Sequence, residues 1–156
     1  MHPNEILINT FYAAFQQKNA AEMNFCYAEN IAFSDPVFGL LQGDEVRGMW
    51  EMLCKNGKDL QLSFGNIQLL DEEYATCYWV AQYTFSQTGR RVVNKIKAHI
   101  RIENGIITEH TDAFDIYKWS RQALGLKGWL FGWTAWFQKK LQQKTRRALN
   151  SFMDKN

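Results

Sequence analysis

The sequence predicts an α+β domain: three short N-terminal helices packed on one face of a four-stranded antiparallel sheet, followed by a helical C-terminal extension. Three observations carry that prediction. Apolar residues recur at helical spacing three times before residue 56, they alternate at spacing two from residue 60 onward, and helical spacing returns after residue 118 with a different composition. The chain has 156 residues, 46% of them apolar and 22% charged, which suits one domain with a sizeable core and excludes a disordered chain.

Residues 4–18 read as the first helix, with Leu7, Ile8, Phe11, Ala14 and Phe15 on one face. Asn19 with Glu22 three residues later has the spacing of a helix-starting capping box. Met23, Cys26 and Tyr27 supply the apolar side of that second helix. Ile31, Ala32 and Phe33 form a brief strand that stops at Asp35-Pro36, because the residue before proline is pushed out of the helical region. Gly39 and Gly43 bracket a loop, and Asp44 to Lys55 forms a third helix with Val46, Met49, Trp50 and Leu53 on one face.

The strands follow. Leu60, Leu62 and Phe64 alternate, then Gly65 shifts the register so that Ile67 and Leu69 continue the apolar face, as a bulge would do. Tyr74–Ser86 is rich in β-favouring residues, and Thr88-Gly89 turns the chain. Arg91–Glu103 alternates clearly, Asn104-Gly105 marks a hairpin, and Ile106–Trp119 is the last strand. A three-residue loop centred on Asn104 sets Ala98 opposite His110 and Ile96 opposite Asp112, and the preceding turn sets Tyr83 opposite Asn94. One face then collects Trp79, Ala81, Tyr83, Ile96, Ala98, Ile100, His110, Asp112, Phe114 and Ile116. The other collects Lys97, His99, Arg101, Glu109 and Asp115, with His99 opposite Glu109. A two-residue loop would slip this register and change the faces.

The net charge of +2 conceals an asymmetry. Residues 1–117 hold 9 Lys/Arg against 15 Asp/Glu, a balance of −6, while residues 118–156 hold 9 Lys/Arg against Asp154 alone, a balance of +8. Four of the six tryptophans (Trp119, Trp129, Trp133, Trp136) lie in that basic segment. Cys26, Cys54 and Cys77 are odd in number and widely spaced, so neither a disulfide framework nor a zinc site is expected. The start, Met1-His2-Pro3-Asn4-Glu5, lacks a basic segment followed by an apolar one, and no run of about 18 apolar residues is present. A cytoplasmic location follows, with peripheral membrane attachment as the variant.

The order of elements, the stretch Tyr27-Ala28-Glu29-Asn30-Ile31-Ala32-Phe33-Ser34-Asp35-Pro36 and the closing Glu109-His110-Thr111-Asp112-Ala113-Phe114-Asp115 resemble the nuclear transport factor 2 superfamily. Within it the chain is most similar to the SnoaL-like branch, home to polyketide cyclases, ketosteroid isomerases and limonene-epoxide hydrolase. The resemblance covers residues 4–118. It implies a cone-like, curved sheet wrapped around the N-terminal helices, an apolar pocket, and a homodimer formed through the outer sheet face. It divides the chain into a domain at residues 1–118 and a basic, Trp-rich extension at residues 119–156.

By that resemblance Asp35 matches the general base of the isomerases. Their two oxyanion donors fall on Phe11, with Tyr12 one residue out of phase, and on Ala98. Such donors are typically worth about 3–4 kcal/mol each in kcat, so steroid isomerisation is disfavoured. Asp112 matches the later Asp of the epoxide hydrolases. Asp35 takes their Asn place and Phe33 their Tyr place, while Trp79 and Ala81 stand where their Arg and first Asp would be. That water-activating set is broken too.

What survives is a candidate acid/base group: Asp35 as base, with Asp112 and His110 supplying the acid or orienting water. Against it stands a plainer reading, in which Asp35 caps a turn and Asp112 pairs with a structural His110. The expected pocket is lined by Phe11, Phe15, Phe33, Trp50, Trp79, Tyr83, Ala98 and Phe114. No metal is expected, because the three histidines lack ligand spacing, and no cofactor is expected, with no Gly-rich phosphate loop in the sequence. The function expected is acid/base chemistry (isomerisation, cyclisation, dehydration or hydrolysis) on a small apolar substrate. The alternative is a non-catalytic binder of an apolar ligand, or a protein held at a membrane surface. In the extension, Phe137, Leu141, Ala148, Phe152 and Met153 form an apolar stripe beside Lys139, Lys140, Lys144, Arg146 and Arg147. Residues 129–153 therefore either meet a membrane surface or dock across the acidic body, with the Trp cluster closing the pocket mouth or the dimer seam. Nucleic acid is not an expected partner, since no binding motif accompanies the basic segment.

Overall fold

A computed structural model describes residues 1–155. Helix α1 (Pro3–Gln16) begins with proline at its first position and is capped by His2, whose Nδ1 accepts from the Asn4 N–H at 3.0 Å. It buries Ile8, Phe11, Tyr12, Ala14 and Phe15. Helix α2 (Ala20–Phe25) starts as its sequence requires, with Asn19 Oδ1 accepting from the Glu22 N–H at 3.1 Å.

Tyr27 does not belong to α2. It opens strand β1 (Tyr27–Asp35), which is three times the length of the Ile31–Phe33 segment expected. The loop expected around Gly39 contains a short strand, β2 (Gly39–Gln42), paired antiparallel with β1. Helix α3 (Asp44–Asn56) buries Val46, Met49 and Trp50. Strands β3 (Gln61–Leu69), β4 (Tyr74–Phe85), β5 (Arg90–Glu103) and β6 (Ile106–Ala113) form the expected antiparallel meander, and β1 joins its end by running parallel to β6. The result is one curved, unclosed sheet in the order β2-β1-β6-β5-β4-β3. The register of β3 against β4 shifts between Gly65 and Gln68, where a bulge was expected.

Both hairpin registers differ from expectation, yet the faces do not. Asn104 and Gly105 both have positive φ (53° and 78°), which makes a tight two-residue turn with Glu103 opposite Ile106. That one-residue slip would have exchanged the faces. A bulge between Arg101 and Ile102 adds a second slip and restores them, so Ala98 lies opposite Asp112 and Ile100 opposite His110. At the other hairpin Tyr83 lies opposite Val92 rather than Asn94, again a displacement of two. His99 accordingly faces Thr111, and Glu109 faces Arg101, which also pairs with Glu73 at 3.0 Å.

The last strand ends at Ala113, earlier than expected. Asp115 is not on the outer charge ladder but caps helix α4 (Ile116–Leu124), accepting from the Lys118 N–H at 3.0 Å, so Ile116 is helical. Helices α5 (Leu126–Phe131) and α6 (Ala135–Lys155) complete the chain. Gly125, with φ 63°, ends α4. In sequence Gly125, Gly128 and Gly132 read as breaks in helical regularity, but Gly128 is a contact: a Cβ there would collide with the Ser120 carbonyl, so glycine lets α5 lie directly on α4.

The buried side of α6 is Leu141, Thr145 and Leu149, joined by half-buried Phe152 and Met153. It packs against α3, where a Cβ on Gly48 would come within 2.9 Å of Met153. It also grips the β1–β2 turn: Thr145 Oγ1 donates to the Val37 carbonyl at 2.7 Å, and Gln142 Nε2 to that of Pro36 at 3.1 Å. Arg146 pairs with Glu45 at 2.9 Å. The apolar stripe of the extension is thus docked on the body, and Phe137 and Ala148 lie off its buried line.

Candidate functional site

Between the concave sheet face, α3 and the C-terminal helices lies a cavity of about 290 Å³, near the lower end of the range for small-molecule sites. Its walls are mainly apolar and include Phe15, Phe33, Trp50, Trp79, Tyr83 and Phe114. Two carboxyl groups open onto it, Asp35 and Asp112. In the parallel ladder Phe33 pairs with His110 and Ser34 with Thr111, so Asp35 and Asp112 follow one step further on adjacent strands. Side chains two apart on a strand share a face, which sets both carboxyls on the side of Phe33 and His110.

Asp35 sits where β1 gives way to the Pro36 turn. Its Oδ1 accepts from the Val37 N–H at 2.9 Å and the Phe38 N–H at 2.6 Å. It therefore caps the turn and also lines the cavity, so the two sequence readings of Asp35 coexist. The residue keeps some accessible surface because it faces the cavity, but protein encloses it on nearly every other side. Burial pushes its pKa up from 3.8 to about 7. The Phe38 N–H opposes that rise, the Asp112 charge adds to it, and the Val37 N–H opposes it again.

Asp112 is held from behind. Its Oδ1 accepts from Trp79 Nε1 at 3.3 Å and lies 3.0 Å from His110 Nε2. His110 Nδ1 lies 2.8 Å from the Tyr27 hydroxyl, which in turn accepts from Trp50 Nε1 at 2.9 Å. These bonds fix the protons. The indole N–H of Trp50 occupies an acceptor position on the Tyr27 oxygen, and the tyrosine O–H has His110 Nδ1 as its partner. The imidazole proton then sits on Nε2 and points at Asp112. Burial, reinforced by Asp112, raises the Tyr27 pKa well above 10, so the hydroxyl keeps its proton.

His110 is fully buried and lies behind Asp112, off the cavity wall. Phe11 and Ala98, expected on the wall, are also off it. Phe11 packs edge-on to His110 at 5.6 Å between ring centroids, and Ala98 is sealed between Cys77 and Asp112 on the neighbouring strands. The other six expected lining residues are on the wall.

Sequence reasoning missed two features. Tyr27 had a signal, since Tyr27, Ile31, Phe33 and Asp35 share strand parity, but the register break between Tyr27 and Ala32 hides it. Trp119, Thr145 and Ala148 complete the wall from the extension, with Trp119 Nε1 anchored on the Tyr83 hydroxyl at 2.8 Å. The Trp cluster, the part of the extension expected to close the pocket mouth, is not on the wall: Trp129, Trp133 and Trp136 are exposed.

The sequence profile of the SnoaL-like domain matches residues 8–110, and the chain belongs to that family, on the nuclear transport factor 2-like fold. Three solved structures illustrate the fold. A nuclear transport factor 2-like protein of unknown function from Burkholderia pseudomallei is 20% identical, with a TM-score of 0.69 over 80% of this chain and 99% of its own. A candidate polyketide cyclase from Xanthomonas campestris is 16% identical, with a TM-score of 0.64 over 77% and 96%. A protein of ketosteroid isomerase-like fold from Catenulispora acidiphila, solved with trimethylamine, is 13% identical, with a TM-score of 0.65 over 75% and 91%. No functionally curated protein matches the chain at a significant level.

Proposed function

We propose that this SnoaL-like protein is an enzyme that moves protons on a small apolar, cyclic substrate. The observation that carries the reading is the pair of carboxyl groups from adjacent strands on one largely apolar cavity wall, one of them titrating near neutrality. In this reading Asp35 is the catalytic acid/base, because a pKa of about 7 populates both its protonation states at neutral pH. Asp112 orients the substrate or a water. His110, Tyr27 and Trp79 act as positioning residues that hold Asp112 still. The likeness to a candidate polyketide cyclase agrees with a cyclic, polarised substrate but does not name one.

The test uses 2-tetralone, a small apolar ketone with acidic α-hydrogens, in deuterated buffer. The wild-type protein should accelerate deuterium uptake at the α-carbon, read by NMR, with a rate that rises through about pH 7 as Asp35 ionises. Asp35→Asn should lose that acceleration while 2-tetralone still quenches the tryptophan fluorescence. Quenching by both proteins with no acceleration by either would overturn the enzyme reading and leave a binding protein.

A further inference from the structure

Helix α5 and the turn into α6 expose an unusual set of side chains: Leu126 (74%), Trp129 (55%), Leu130 (55%), Phe131 (46%), Trp133 (67%) and Trp136 (60%). Nothing among the described residues covers them, although the helices that carry them are firmly seated. α5 rests on α4 through Gly128, and α6 is fastened to the body through Leu141, Thr145 and Leu149. An exposed apolar patch of this kind, on an otherwise well-packed domain, marks an interaction surface.

The charges that this segment sets beside the patch are all positive. Lys127, Lys139 and Lys140 are exposed, the Arg121 guanidinium lies 4.5 Å from the Trp129 ring, and Lys140 Nζ lies 4.5 Å from that of Trp136. No Asp or Glu occurs between Asp115 and Asp154. A two-fold contact between copies of this surface would set lysines against lysines, so a second copy is a poor occupant. A positive rim around protruding indoles and leucines complements an anionic lipid surface instead. Indoles and aliphatic side chains enter the interfacial layer while lysine and arginine meet the headgroups.

We propose that the Leu126–Trp136 corner docks this protein onto an anionic phospholipid bilayer. The docked stripe of α6 takes no part, so the contact is a corner rather than a helix lying in the membrane plane. The site is joined to the cavity through α4, which carries Arg121 on one side and the cavity residue Trp119 on the other.

The full-length chain should co-sediment with phosphatidylcholine vesicles containing about 30 mol% phosphatidylserine, and much less with phosphatidylcholine alone. Its tryptophan emission should shift to the blue on binding. A variant carrying Trp129→Ser, Trp133→Ser and Trp136→Ser should bind at least about tenfold more weakly, with unchanged circular dichroism because the replaced side chains are exposed. Lys127→Glu with Lys140→Glu should weaken binding on the anionic vesicles specifically. Deleting the extension is not a clean control, since it also removes cavity wall. Failure of the wild-type chain to co-sediment would overturn the proposal. So would unchanged vesicle binding by the folded triple variant, or a light-scattering dimer mass that the triple variant abolishes without any vesicle binding.

Discussion

At Asp35 two demands compete. The turn needs an acceptor for the Val37 and Phe38 N–H groups, while the buried position penalises a charge. The folded state holds the Asp35 proton up to about pH 7, whereas the unfolded chain releases it near 3.8. Between those values the folded state binds more protons, so this group's contribution to stability falls as pH rises through the window. Asparagine keeps the acceptor and removes the charge. Asp35→Asn should therefore stabilise the fold above pH 7 by about 2–4 kcal/mol, with the gain vanishing near the unfolded-state pKa. Urea midpoints at the two ends of that range measure it, and a variant less stable at both ends would contradict the assignment. Behind Asp112, Tyr27→Phe strands two buried nitrogens, Trp50 Nε1 and His110 Nδ1. The expected cost is about 2–3 kcal/mol. Long-range nitrogen NMR should show the His110 proton fixed on Nε2 in the wild type and no longer fixed in the variant.

At the scale of elements, what could be read from the sequence depended on whether the signal was local. Helices α1 and α3, the cap at Asn19, the bulge after Gly65 and the inward face of the meander all follow from spacing and capping, and the structure has them. Strand register follows from turn geometry plus bulges. The Asn104-Gly105 turn was visible in sequence, but the bulge beside Arg101 was not. The faces came out as expected only because two one-residue slips add up to an even number. Asp35 and Asp112 were accessible for the same reason, whereas the parallel pairing of β1 with β6, which brings them side by side, is a long-range fact. The glycines of the extension look like breakers in sequence, yet Gly128 is a packing contact. Gly128→Ala should push α5 off α4 at a cost of about 1–3 kcal/mol. A lowered Tm with altered Trp129 emission would show it, and an unchanged Tm would mean that α5 is not seated as described.

For the whole molecule, the opposite balances of −6 and +8 suggest that charge holds the extension to the body. The contacts say otherwise. Among the described residues a single ion pair, Arg146 with Glu45, crosses between residues 118–155 and the rest of the chain. Lys139, Lys140, Lys144 and Arg147 are exposed. The attachment is instead made by Leu141 and Leu149, by the hydrogen bonds of Thr145 and Gln142 to the β1–β2 turn, by the close approach at Gly48, and, at α4, by hydrogen bonds of Trp119 with Tyr83 and of Gln122 with Arg90 and Val93. A half-exposed ion pair contributes about 0–1 kcal/mol and is screened by salt, whereas truncating a buried leucine costs about 2–5 kcal/mol. Raising the salt from about 0.05 to about 0.5 M should therefore shift Tm by only about 2 °C, while Leu149→Ala should lower it by about 5–15 °C at either salt. A steep salt dependence of Tm with a mild effect of Leu149→Ala would reverse this account. With docking met by apolar contacts, most of the positive charge of the extension remains exposed to solvent, on the same segment as the tryptophans.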